Sequence, residues 1–147
     1  MTKYSDIASE KFYNGCNCAQ SVLCTFSDKI GLENGTCMKL ASSFGGGMGR
    51  LREVCGAVSA MFMIAGILKG YSTAGDDIVK ARHYQLIQEL AKKFKAEHET
   101  IICRELLGLD GKDNPIPSKR TPEYYASRPC VEFIKTASRI IESELLK

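Results

Sequence analysis

The chain has 147 residues, 44% hydrophobic and 25% charged, ordinary values for one globular domain with a sizeable core. A net charge of +3, dispersed along the sequence, is too weak to point to nucleic acid. The most apolar run, Val54 to Leu68, is shorter than the roughly 20 residues of a spanning helix, and the first residues lack the basic and apolar regions of a signal peptide.

Helical periods recur along the chain and no alternating strand pattern stands out. Thr2 is expected to cap a first helix with Tyr4, Ile7, Ala8 and Phe12 on its inner side, and Asn14-Gly15 to stop it. Asn17 is placed to cap a second helix carrying Ala19, Val22, Leu23, Phe26 and Ile30, which Gly31 ends. Thr36 is expected to cap a short third helix with Leu40 and Ala41. The stretch Phe44-Gly45-Gly46-Gly47-Met48-Gly49-Arg50 then feeds a central helix from about Leu51 to Lys69. That helix is apolar nearly all round, as befits one with neighbours on every side. Its small residues Gly56, Ala57, Ser59, Ala60 and Gly66 are expected to admit close helix packing.

A fifth helix is expected from about Asp76 to Glu97, with Val79, His83, Leu86, Leu90 and Phe94 in one stripe and Lys92, Lys93 and Lys95 facing solvent. Thr100 is expected to cap a short helix bearing Cys103, Leu106 and Leu107, stopped at Gly108. Leu109 to Thr121 reads as a polar loop containing Pro115 and Pro117, long enough to serve as a lid. The last helix begins near Pro129, with Val131, Ile134, Ala137, Ile141 and Leu145 on its buried face. Residues 1–147 are therefore expected to form a single all-α domain of five to seven helices around the Leu51–Lys69 helix.

The unusual feature is seven cysteines: Cys16, Cys18, Cys24, Cys37, Cys55, Cys103 and Cys130. In a reducing compartment such thiols more often bind metal or do redox chemistry than staple a fold, and the cytoplasm is the expected location. Cys18, Cys55, Cys103 and Cys130 each fall near the start of a different helix and on its inward side. A helix N-terminus favours thiolate over thiol, and thiolates are both the nucleophiles of disulfide exchange and the ligands of soft metals. Cys24 sits among Gln20, Ser21, Ser27 and Asp28 and is expected off the core face. Cys37 reads as packing, and Cys16 as either a loop cysteine without function or a resolving thiol beside Cys18. No Cys-x-x-Cys pair is present, so neither a zinc ribbon nor a thioredoxin-type motif can be read. His83 and His98 lie on the apolar side of the fifth helix and read as core residues rather than ligands.

The glycine turn admits two readings. Gly45, Gly46, Gly47 and Gly49 permit positive φ and close backbone approach; alternatively, with Arg50, they could hold an anion or a cofactor phosphate at a helix start. No strand precedes the turn and no Gly-Lys-Ser/Thr closes it, so it is neither a dinucleotide fingerprint nor a P-loop. Asp110, Asp113 and Asn114 do not form a calcium loop, since Thr121 stands where the glutamate is required.

Taken together, Asn17-Cys18-Ala19-Gln20, the Phe44–Arg50 turn, Val54-Cys55-Gly56-Ala57, Cys103 before Glu105-Leu106-Leu107-Gly108, and Cys130 resemble the C-GCAxxG-C-C proteins, a family described as redox-active. The resemblance covers about residues 12 to 140 and implies that Cys18, Cys55, Cys103 and Cys130 are the signature. One departure is Ala60, where the signature has glycine. The family is also similar to a part of split-Soret cytochromes, which carry an iron–sulfur centre; no Cys-x-x-Cys-His haem attachment occurs here.

The expectation is thus a redox protein with a four-cysteine centre. Cys18, Cys55, Cys103 and Cys130 would either ligate an iron–sulfur cluster or zinc, or cycle between dithiol and disulfide. An anion-binding helical module using Gly45 to Arg50, and a structural protein with packed cysteines, are the alternatives. A redox partner is implied without being identified, self-association as a homo-oligomer is left open, and nucleic acid and membrane are not expected partners.

Overall fold

The structure, a computed structural model, describes residues 3–147. Thr2, the expected first cap, lies outside them. The chain is all-α. Its helical segments are α1 (Lys3–Tyr13), α2 (Cys18–Thr25), α3 (Ser27–Ile30), α4 (Asn34–Ser42), α5 (Gly45–Met48), α6 (Gly56–Lys69), α7 (Asp77–His98), α8 (Cys103–Leu107), α9 (Pro122–Ser127) and α10 (Cys130–Leu145). Six of these, α1, α2, α4, α6, α7 and α10, have eight residues or more, within the expected number. The rest are single turns. In α5, Gly46 and Gly47 have left-handed φ values, so it is a glycine turn rather than a helix. Among the described residues the only β pairing is an isolated antiparallel bridge between Val54 and Ile102.

α6 is the central helix, packed against α2, α10, α7, α3 and α5, while α1 lies across α10 and α2, and α4 packs on α2. Val22, Leu23, Phe26, Val58, Met61, Ile64, Leu90, Phe94, Ile134 and Ile141 form the centre of one continuous core. Burying a side chain of this size contributes about 1.5–3 kcal/mol.

The close seam is between α2 and α6. A Cβ on Gly56 would stand 2.8 Å from the Phe44 carbonyl oxygen and 3.0 Å from the Ala19 nitrogen, so only glycine allows these backbones to meet. Ala60 is fully buried and accommodated. Gly66 is exposed with nothing near it, and is not a packing residue.

Several boundaries differ from the sequence expectation for physical reasons. α6 starts at Gly56 rather than Leu51, because Arg52 has φ 60° and the segment before Gly56 pairs its backbone with the chain leading into α8. There Cys55 N–H donates to the Ile101 carbonyl (2.8 Å) and Arg104 N–H to the Arg52 carbonyl (3.1 Å). Leu51 is consequently half exposed. The second helix is interrupted at Phe26 before α3, and Gly31 closes it in the left-handed conformation as expected. α4 begins at Asn34, so Thr36 lies inside it rather than capping it. Thr100 does not cap α8 directly: Ile102 is the cap residue, and the Thr100 hydroxyl accepts from the Ile102 N–H at 3.1 Å.

α7 buries only Leu90 and Phe94; its first half projects past the core and leaves Ile78 and Tyr84 in solvent. The loop after Gly108 ends in an unforeseen helix, α9, with Thr121 as its cap and Pro122 in its first turn. No helix among the described residues is long and apolar enough to cross a membrane.

Candidate functional site

Each of the four signature cysteines stands at a helix start. Cys18 opens α2 directly after Asn17, whose side chain accepts from the Gln20 N–H (2.8 Å) while Gln20 Oε1 accepts from the Asn17 N–H (3.0 Å). This reciprocal capping box fixes where the helix begins, and so where the thiol lies. Cys55 is the residue before α6, and Cys103 opens α8. The Val54–Ile102 bridge and the Cys103 N–H bond to the Glu53 carbonyl hold these two starts side by side. Cys130 opens α10 behind Pro129.

All four cysteines line one cavity of about 380 Å³ between the glycine turn, the Leu109–Thr121 loop and α9. Cys55, Cys103 and Cys130 are buried and Cys18 is half-buried. No disulfide links any of the seven cysteines.

The thiols are not equivalent. The Cys18 and Cys130 thiols interact, which pushes the Cys18 thiol well above its usual pKa, with burial adding to the shift. The same interaction, reinforced by the charges of Arg128, Arg52 and Arg120, overcomes burial and brings Cys130 down from 9.0 to about 7. Burial pushes Cys55 up to about 12, although the Ala57 and Val58 N–H groups at the start of α6 oppose it. Cys103 is also raised by burial, less so because Arg52 Nη1 lies 3.5 Å from its sulfur. The site therefore holds one acidic thiol with a protonated partner at its side. A thiolate favoured at pH 7 is the nucleophilic form of cysteine.

The glycines make room for this arrangement. A Cβ on Gly47 would stand 2.6 Å from Cys103 Cβ and 2.9 Å from the Arg52 backbone, and one on Gly45 would overlap the Asn17 side chain. The backbone around them is left-handed at Gly46, Gly47, Met48, Gly49 and Arg50. Most N–H groups of the turn are spent inside it: those of Met48, Gly49, Arg50, Arg52 and Glu53 donate to the carbonyls of Phe44, Gly45, Gly45, Gly46 and Gly47.

Arg50 faces the loop, with Nε donating to the Asn114 carbonyl (2.7 Å) and Nη2 3.4 Å from Asp113. Arg52, almost fully buried, binds the same carboxylate through Nη2 at 3.0 Å. Asp113 thereby clamps the loop onto the glycine turn.

The family model described as "Putative redox-active protein (C_GCAxxG_C_C)" matches residues 16–144. The chain belongs to this family. No curated protein and no solved structure matches it.

Within this C-GCAxxG-C-C chain the remaining cysteines lie elsewhere. Cys24 is buried, contrary to the expectation that it faces outward. Its neighbour Ser21 is buried too, because the hydroxyl bonds back to the Asn17 carbonyl at 2.8 Å and needs no water. A serine satisfied in this way does not mark a solvent face. Cys24 packs toward α4 with its thiol 4.0 Å from the Asn34 carbonyl, and Cys37 is fully buried in the same region. Cys16 directs its thiol at Met38 Sδ, 4.0 Å away.

His98 is a satisfied core residue, its Nε2 2.8 Å from the Thr136 hydroxyl and its ring against Phe94 and Phe133. His83 Nδ1 is buried without a hydrogen-bond partner, and the ring meets Tyr71 edge-on.

Residues that sequence reasoning missed are Arg52, Arg120, Arg128 and Tyr124, all of which line the cavity. Arg52 and Arg128 stand three and two residues before a signature cysteine, the one signal that could have drawn attention to them. Among the described residues, no group of three or more histidine, cysteine, aspartate or glutamate side chains is placed to hold a metal ion.

Proposed function

We propose that the protein is a thiol–disulfide redox protein whose working pair is Cys18 and Cys130. The observation that carries this is that Cys18 and Cys130, at the starts of α2 and α10, line one cavity and interact there, which favours the proton on Cys18 and the charge on Cys130.

The Cys130 thiolate attacks one sulfur of a substrate disulfide, forming a Cys130 mixed disulfide and releasing the other half as a thiolate. That leaving thiolate takes the Cys18 proton. With the Cys130 charge gone, the Cys18 thiolate so formed is no longer disfavoured. It attacks Cys130 Sγ, forms the Cys18–Cys130 disulfide and releases the second substrate thiol. The substrate gains two electrons and two protons, one from Cys18 and one from solvent; the protein loses two electrons and the Cys18 proton. The reverse sequence oxidises a dithiol substrate. Cys55 and Cys103, raised by burial, are walls of the site rather than nucleophiles. A reducing compartment such as the cytoplasm fits a chain with all seven thiols free.

The iron–sulfur or zinc alternative would use Cys18, Cys55, Cys103 and Cys130 as ligands, a cluster supplying one-electron transfer. A single zinc ion needs four donors at about 2.0–2.3 Å from one point, and the quartet is not so arranged. Two of its sulfurs are engaged with each other and a third with Arg52.

The test is protein prepared without oxygen, assayed for iron, zinc and sulfide, then titrated through dithiothreitol redox buffers with a thiol count. Reversible loss of two thiols, abolished by both Cys18→Ser and Cys130→Ser, is expected. Stoichiometric iron with sulfide, or no reversible thiol loss, would overturn the proposal.

A further inference from the structure

Four arginines, Arg50, Arg52, Arg120 and Arg128, line the cavity, and no aspartate or glutamate does. Arg50 and Arg52 share the single carboxylate of Asp113. Arg120 is held by neutral partners, donating to the carbonyls of Phe12 and Cys16 at 3.1 Å. The Arg128 guanidinium makes neither a hydrogen bond nor an ion pair among the described residues and lies over the Tyr124 ring, 5.4 Å from the centroid. Arg128 stands two residues before Cys130. The cavity is thus positively charged beyond what its own carboxylate offsets, with an uncommitted planar cation beside the reacting sulfur. Guanidinium groups so placed recognise carboxylate or phosphate. Phe12, Leu106, Leu107 and Phe133 add an apolar part to the wall. A volume near 380 Å³ suits a small molecule.

We propose, building on the Cys18–Cys130 dithiol, that the cavity selects small disulfides that carry a carboxylate or phosphate group, anchored by Arg128 while their sulfurs meet Cys130. The glycine turn contributes space for the ligand; the arginines contribute the charge.

The experiment compares two aromatic disulfide probes, the anionic dithiobis-nitrobenzoate and the smaller, uncharged dithiodipyridine, the unfolded chain correcting for their intrinsic difference. Rates are read from release of the probe thiol at a pH where the Cys130 thiol is fully ionised, and mass spectrometry locates the resulting Cys130 mixed disulfide or Cys18–Cys130 disulfide. The protein unfolded in urea serves as reference for intrinsic reactivity. The anionic-to-uncharged rate ratio is expected to exceed that of the unfolded chain by about tenfold or more, and to fall with added salt. Arg128→Gln should bring the ratio down to the unfolded value, and Arg128→Lys should keep part of it; circular dichroism checks that both variants fold. A ratio equal to the unfolded reference, or one untouched by Arg128→Gln, overturns the selectivity while leaving the dithiol standing. Failure of both probes to react at Cys130 ahead of the other thiols overturns the dithiol and the selectivity together.

Discussion

Cys130 gathers four influences in one side chain: a thiol donor in Cys18 and the charges of Arg128, Arg52 and Arg120, against the cost of burial. The Cys18 interaction is the largest of them, so removing it has a defined consequence. Cys18→Ala should raise the pH midpoint of Cys130 alkylation from about 7 toward the ordinary cysteine value of 9.0. An unchanged midpoint in that variant would mean that the arginines alone set the acidity. Cys18, Cys103 and Cys130 were legible in the sequence because each lies at a recognisable helix start, and Cys55 because it falls early in the most apolar run. Their inequality was not, since it depends on side chains from other elements. Arg120 reaches the site from the loop and Arg128 from the end of α9, and neither distance can be inferred from spacing along the chain.

Helix beginnings carry the site, and glycines let those beginnings converge. Gly47→Ala should destabilise the protein by at least about 2 kcal/mol, through strain at φ +68° and the clash with Cys103 and Arg52. Gly66→Ala, on the exposed face of α6 with open space around it, should instead stabilise by about 0.5–1 kcal/mol. Urea denaturation of the two variants checks both, and equal effects would remove the special status of the turn. Asn17→Ala should cost about 1 kcal/mol by removing the cap of α2. Asn17 and Gly31 were readable because capping is local chemistry. The start of α6 was not, because it follows from the Val54–Ile102 pairing of segments far apart in the chain. Gly66 and Ser21 mark the same limit: smallness does not prove close packing, and polarity does not prove exposure.

At the scale of the molecule, the thiols couple folding to pH. Cys130 ionises at about 7 when folded against 9.0 in its unperturbed state, so between these values the unfolded chain holds more protons and stability rises with pH. Cys55 is pushed to about 12, so above 9.0 the unfolded chain loses protons first and stability falls. Cys18, also raised, acts in the same direction as Cys55. Reduced protein should therefore show a maximum of stability near pH 9 in its thiol contribution, read as the difference between wild type and Cys130→Ala below that pH. A difference that does not grow from pH 7 to 9 would contradict the assignment. Oxidation should raise stability further, because a Cys18–Cys130 bond closes a loop of about 110 residues, worth up to about 4–5 kcal/mol by chain entropy.

The most direct test of the central claim is isotope-coded alkylation of reduced protein across pH, with each of the seven cysteines resolved by mass spectrometry. Cys130 is predicted to label first, with a midpoint near 7, while Cys18 and Cys55 stay protected well above pH 9.0. If Cys130 titrates together with the other thiols, or Cys18 proves to be the acidic member, the proposed nucleophile is wrong and the pair does not work as described.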